Sequence, residues 1–324
     1  MSKRVLSITE ILFIVLLACV PLFASFPYRV NIFLSWEGAY RLSEGQLPFR
    51  DFGTPLGGMF WVIPALFFKV FGPQMITLIK AQVLINIIAG LSFRSILKSL
   101  DVKPGVVFIS VLLFCLSYSF FNFWPWYNHS VIVYELVALA FLFKYFFRTG
   151  QKYQYGWLIA SAVFVCFSFL TKQDGGGLAL LICCFLLAYY SIQERKWKPL
   201  LVFCGSFIAL LGIIILVFAP YGFGYWFNHG QAPHSSRISP FEIIDEFFML
   251  SEWIKFYLFL IVLLLIPRFK EWKEFWNNRR DMLFFLLTLA ILGEAAIFQV
   301  TSYTPPDNNI FFHSFAVAFL LSVL

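Results

Sequence analysis

Charge is what this sequence has least of. Asp, Glu, Lys and Arg together make up 13% of its 324 residues, against roughly 25% in a soluble domain. A soluble protein, a disordered chain, a collagen and a secreted disulfide scaffold are thereby excluded. Cysteine is scarce as well. Cys19, Cys115, Cys166, Cys183, Cys184 and Cys204 all lie inside apolar blocks, where a thiol acts as a small hydrophobe rather than a disulfide partner or metal ligand. Walker loops, dinucleotide fingerprints and Cys/His metal clusters are missing too. The formal charge of +7 would suit nucleic acid, but the bases form short clusters between apolar blocks, which is the pattern of membrane orientation. Nucleic acid is discarded as a partner.

Apolar residues are what the chain has in excess: 60% of it is hydrophobic, 43 residues are Phe, and the mean hydropathy is +0.82. A crossing takes about 20 apolar residues. Spans are predicted near 8–26, 74–93, 105–121, 129–147, 156–171, 177–192, 200–219, 248–267 and 281–300, with a tenth beginning at Ile310. The expected fold class is all-α, a polytopic integral membrane protein with one transmembrane domain over 1–324 and the lipid bilayer as its partner. The first span follows Lys3 and Arg4, but Ala24-Ser25-Phe26 is not a small-x-small cleavage site, so it reads as a permanent helix. Leu324 falls 15 residues into the last apolar block, and a C-terminal part is expected to be missing.

The block from Gly58 to Phe71 is short for a crossing and suits a re-entrant or interfacial helix. Charge decides the case. With this block kept outside, 16 of the 24 Lys and Arg fall in inner loops, as the positive-inside rule requires. Arg29, Arg41, Arg50, Lys69, Lys172 and Arg237 are then outside, and Lys80 and Lys255 lie within spans. The N-terminus is expected to be cytoplasmic, with the chain in a plasma (inner) membrane. Two outer segments, 27–73 and 220–247, are long while every inner connection is short, so the working site is expected to face the periplasm or exterior.

Five ionisable residues fall inside spans: Glu10, Lys80, Glu135, Lys255 and Glu294. Such residues are functional hypotheses by default. All but Glu10 share the outer half, which predicts a polar cavity open to that face; mutual Lys–Glu pairing is the alternative.

In the first outer loop, SWEGAYRLSEGQLPFRDFGTPLGG, Ser35 is expected to cap a short helix, with Glu37, Arg41 and Glu44 on one face and Gly45 as its stop. Pro48 to Asp51 should form an extended turn, and Gly53, Pro55, Gly57 and Gly58 a loop that lets the backbone approach a ligand. Charge pattern alone favours a solvated surface helix with a Pro/Gly loop. The ordered set Glu37-Gly38-Ala39-Tyr40, Gly45, Pro48-Phe49-Arg50-Asp51-Phe52, Pro55-Leu56 and Phe71-Gly72 resembles the first outer loop of GT-C glycosyltransferases, nearest to the protein O-mannosyltransferase and lipid A aminoarabinose transferase group. Leu170-Thr171-Lys172-Gln173-Asp174-Gly175-Gly176-Gly177 is similar to the Lys-Gly turn of that group; a snorkelling Lys beside a glycine-rich connection is the alternative. Two positions depart from the pattern: Trp36 replaces an acid before Glu37, and Asn128 and His129 stand where a second acid is often found.

The resemblance implies a GT-C-like bundle of about ten helices with interfacial helices in its first outer loop. It also implies transfer of a sugar from a polyprenyl-phosphate donor to an acceptor lipid, glycan or protein. Glu37 is the first choice for the base and Asp51 the second. Arg50, Lys172, Arg41 and Lys255 are candidates for the donor phosphate, which cations and exposed backbone N–H groups would hold. Tyr40, Glu44, Asn128, His129, Asp174, His229, His234 and Arg237 are expected to line the substrate. No cofactor is assigned; two histidines five apart fit no strong metal signature, and a divalent metal is left open. The segment 220–247 suits a lid, Phe123 to Tyr127 an aromatic belt, and Ser302 to Asn309 with His313 the acceptor side. A flippase or transporter, and a non-catalytic binder of lipid-linked sugars, are the alternatives.

Overall fold

The computed structural model describes residues 3–24, 31–121, 123–148, 153–229, 240–249, 251–302 and 310–324; the predicted spans fall on helices there, except that 248–267 straddles the break between two helices and 8–26 runs beyond the described residues. The helices are α1 (Lys3–Ala18), α2 (Asn31–Ser43), α3 (Met59–Phe71), α4 (Met75–Ser99), α5 (Pro104–Phe121), α6 (Tyr127–Phe147), α7 (Gln154–Phe169), α8 (Gln173–Glu194), α9 (Lys198–Phe218), α10 (Phe223–His229), α11 (Pro240–Met249), α12 (Glu252–Phe269), α13 (Trp272–Asn277), α14 (Arg279–Ser302) and α15 (Ile310–Val323). No strand occurs among the described residues. Six helices, α1 with its 3₁₀ extension, α4, α6, α8, α9 and α14, are long and apolar enough to cross a bilayer. The pair α11–α12, bent by 75°, makes a seventh crossing if it is one broken span, and α3, α5, α7 and α15 are shorter apolar helices. The protein is an all-α, membrane-spanning bundle.

Burial orders the layers. In α6, 83% of the apolar window is buried and in α9 only 11%, so α6 is the central post and α9 lies at the rim. Apolar residues all around a helix mean core or lipid, and packing decides which.

Ion pairs and hydrogen bonds define two ends. At one, Arg94 and Lys98 reach Glu10 from α4, at 2.6 and 3.5 Å. Arg280 meets Asp101 at 2.8 Å, Arg279 meets Glu194 and Arg268 meets Asp281. This end gathers the loops whose basic residues predicted the inner face. At the other, Ser35 Oγ donates to the Pro125 carbonyl, Trp36 Nε1 to Pro73 O at 3.0 Å and the Met59 N–H to Leu170 O at 3.4 Å. Helix α3 therefore stays at the second end, as charge required. Its Phe60, Trp61 and Phe68 pack with Ile32, Ala39 and Leu78 into a satellite core. That contact needs Gly38, whose would-be Cβ lies 2.0 Å from the Trp61 ring.

One local expectation is corrected. Helix α2 begins at Asn31, so Ser35 lies one turn inside it and its hydroxyl ties α2 to the start of α6 instead of capping. Glu37 is consequently mid-helix, outside the reach of the N-terminal dipole. Among the aromatics of 123–127, Trp124 and Tyr127 pack on the satellite core, Tyr127 within 6.0 Å of Phe60. Gly45 and Gly72 do stop α2 and α3, with φ of 84° and 81°.

Candidate functional site

The first outer loop is held by its own short-range bonds. Beyond Gly45 the Phe49 N–H donates to Phe52 O at 2.8 Å and the Asp51 N–H to Leu47 O at 3.0 Å. Asp51 Oδ2 in turn accepts the Leu47 N–H at 2.7 Å. Phe49 takes a positive φ of 70°, and its buried ring meets Phe218, Phe223 and Phe227 edge to face. Such aromatic contacts contribute about 0.5–1.5 kcal/mol each beyond area burial. The turn is thus pinned to α9 and α10.

Farther along, the loop is clamped onto the turn between α7 and α8. A Cβ on Gly57 would fall 1.3 Å from Leu170 O, and one on Gly53 2.5 Å from the Trp226 ring. Gln173 Nε2 donates to Pro55 O at 3.1 Å and also to Phe227 O. Tyr134 Oη, from the central post, donates to Met59 O at 3.0 Å. Two motifs more than a hundred residues apart in sequence therefore meet at one end of the bundle.

Lys172 is the N-cap residue of α8. Its Nζ lies 2.9 Å from Asp174 Oδ2, with side chains 11% and 15% exposed, and sits over the Phe298 ring at 4.9 Å and the Tyr127 ring at 5.9 Å. The adjoining glycines serve packing. A Cβ on Gly175 would press on Val131 and Phe298, and one on Gly176 on the Phe169 backbone at 2.1 Å. Close helix approach thus requires glycine at 175 and 176.

Both candidate bases are engaged by a neighbouring arginine. Glu37 accepts Arg41 at 2.7 Å, and Arg41 also covers the Phe52 ring at 5.2 Å and donates to Gln46 at 3.3 Å. Asp51 accepts Arg50 at 2.7 Å. The Arg50 hydrogen bond, then the Leu47 N–H, hold the Asp51 carboxyl below the usual carboxylate range. Asp51 and the nearby Tyr221 push the Arg50 guanidinium up. Tyr40 stacks on Trp36 at 5.2 Å, and Glu44 is exposed just beyond α2.

Other predicted residues are turned elsewhere. Lys255 donates to Phe248 O at 2.6 Å, at the α11–α12 kink. Asn128 and His129 open α6, and His129 is buried against α4, where its Nδ1 lies 3.3 Å from Gln82 Nε2. Gln82 also donates to Asn86 Oδ1 at 2.6 Å. This buried polar track is absent from the sequence reading; its signal was two amides four apart in an apolar helix. The side chain of His229, together with His234 and Arg237, lies outside the described residues, as do residues 303–309 of the last outer turn. His313 stacks on Trp253 at 3.9 Å and meets Tyr257 Oη at 3.2 Å. Among the described residues no three His, Cys, Asp or Glu side chains converge as metal ligands.

The expected common cavity of span charges is also corrected. Lys80 is exposed on the bundle surface, over Phe71 at 5.3 Å, and Lys255 sits at the kink. Glu135 of α6 and Glu294 of α14 are both buried, each 2% exposed, and close enough to act on one another electrostatically. Asp174 is close enough to act on Glu294, so the acid pair lies beneath the Lys172 turn.

No protein-family model and no curated protein matches the chain. Among solved structures it is similar to ArnT from Cupriavidus metallidurans in the apo state, with a TM-score of 0.58 at 13% identity over 98% of this chain. The chain spans 59% of the length of that structure. At this identity the likeness is one of fold alone.

Proposed function

We propose that this chain is a membrane glycosyltransferase that moves a sugar from a polyprenyl-phosphate donor to an acceptor on the outer face of the membrane. The observation that supports it most is the junction of the two motifs, where Gly57 and Met59 rest on Leu170. It puts Arg50 and Asp51 on the same clamped loop as the contact to the Lys172 turn. The ArnT-like fold and the resemblance of residues 37–72 to the aminoarabinose and O-mannosyl transferase group support the same reading.

In the reaction an acceptor O–H or N–H attacks the anomeric carbon, the bond from that carbon to the phosphate oxygen breaks, and polyprenyl phosphate leaves with the electron pair. A carboxylate takes the acceptor proton. Arg50 and Lys172 stabilise the leaving phosphate, Arg50 through its planar fork. A phosphate that engages Arg50 draws it from Asp51, which raises the basicity of that carboxylate as the donor binds. Asp51 is therefore favoured over Glu37, whose arginine sits on a helix face of its own.

The test uses the protein in nanodiscs with a panel of radiolabelled polyprenyl-phosphate sugars and acceptor extracts. Release of polyprenyl phosphate should be lost in Asp51→Asn and Lys172→Gln and kept in Glu44→Gln. Donor binding without release in any variant would overturn the transferase reading in favour of a flippase or a binder.

A further inference from the structure

We infer that the basic end of the bundle holds the phosphate of an anionic phospholipid headgroup, with Arg279, Arg280 and Asn277 as its ligands. This inference is independent of the proposed reaction, which belongs to the opposite end. A cavity of about 510 Å³ opens there between Phe147, Gln193 and the turn 277–281. Both arginines are held by ring faces, Arg279 over Tyr190 at 5.1 Å and Arg280 over Phe147 at 5.4 Å. Each gives one edge to an acid, Arg279 to Glu194 and Arg280 to Asp101. A guanidinium carries five N–H donors, so one carboxylate leaves donors for a second anion.

The acids nearby do not cancel this chemistry. Asp281 is taken by Arg268 and by Asn278 Nδ2 at 3.0 Å. The Asp101 side chain is 76% exposed, and such pairs contribute little, so a phosphate can replace it at Arg280. In the sequence, the connections predicted for this side carry sixteen Lys and Arg against five Asp and Glu, a balance that draws anions.

The wall is rigid. Tyr189 Oη and Gln193 Nε2 both donate to Trp276 O, at 2.8 and 2.9 Å, which fixes the α13–α14 turn on α8. The cavity also sits where helices end, with Phe147 in its wall and exposed Phe269 and Trp272 on the approach to α13. Aromatics of this kind mark headgroup level, and basic pockets between helix ends suit lipid phosphates. A lipid is therefore assigned rather than a soluble phosphate.

The experiment is native mass spectrometry of the full chain with phosphatidylglycerol, phosphatidylcholine, inorganic phosphate or glycerol phosphate. Wild type should retain phosphatidylglycerol over phosphatidylcholine, and Arg279→Gln/Arg280→Gln should lower that preference by about tenfold. Asn277→Asp, which leaves both ion pairs intact and puts a carboxylate in the cavity, should do the same in a protein that folds like wild type. Equal retention of the two lipids by wild type would overturn the inference, as would an Asn277→Asp variant that keeps the preference. Displacement of the lipid by glycerol phosphate at equal concentration would replace the lipid with a soluble ligand.

Discussion

Lys172 and Asp174 form the buried ion pair on which the candidate site rests. Removing one partner of a buried pair leaves an uncompensated charge and costs about 3–5 kcal/mol. Lys172→Met should therefore lower the thermal midpoint in detergent markedly, and Lys172→Met/Asp174→Leu should recover most of the loss; equal destabilisation of both would show that the pair is not what Lys172 provides. Asp51 carries a pH prediction. Its native value lies below the unfolded one, because Arg50 and the Leu47 N–H favour the carboxylate. Its contribution is thus full above the ordinary Asp value of about 4 and is lost as pH falls through the lowered native value. Hydrogen exchange at the Leu47 amide, corrected for intrinsic rate, should stay slow in wild type above about pH 4 and be fast in Asp51→Ala, which has no acceptor, at every pH. Identical protection in the two proteins would refute the bracing role.

Helix α8 shows how one element depends on single atoms. Gly176 and Gly177 are adjacent, yet a Cβ on the first would meet the Phe169 backbone while one on the second would meet open space. Gly176→Ala should cost about 1–3 kcal/mol through overpacking of α7 against α8, whereas Gly177→Ala should be neutral or stabilising by up to about 1 kcal/mol. Chemical unfolding of the two variants decides it, and equal effects would contradict the packing account. Gly176 and Gly177 look alike in sequence, as do Gly57 and Gly58, because what separates them is a neighbour from another element, Phe169 of α7 for Gly176 and Leu170 for Gly57. The boundaries of α3 were legible, with a stop at Gly72, while the start of α2 was not. Ser35 carries a capping residue's chemistry, but its hydroxyl found a carbonyl ninety residues away.

For the whole molecule, the distribution of bases predicts orientation. Glu44 and Lys196 are both exposed at opposite ends, and the native cysteines are buried or half-buried. Glu44→Cys should react with an impermeant maleimide in intact cells, and Lys196→Cys only after permeabilisation; the reverse pattern would invert the topology. Apolar run length and the clustering of Lys and Arg were enough to place the helices and the side of α3, because lipid solvation and membrane orientation act on local composition. Tertiary structure alone decided that Lys80 faces outward while Glu135 and Glu294 are buried, that His129 turns to Gln82, and that the loop around Arg50 and Asp51 rests on Leu170. Those outcomes depend on which face of each helix meets which neighbour, and in a helix that is apolar all round no periodicity in the sequence records that choice.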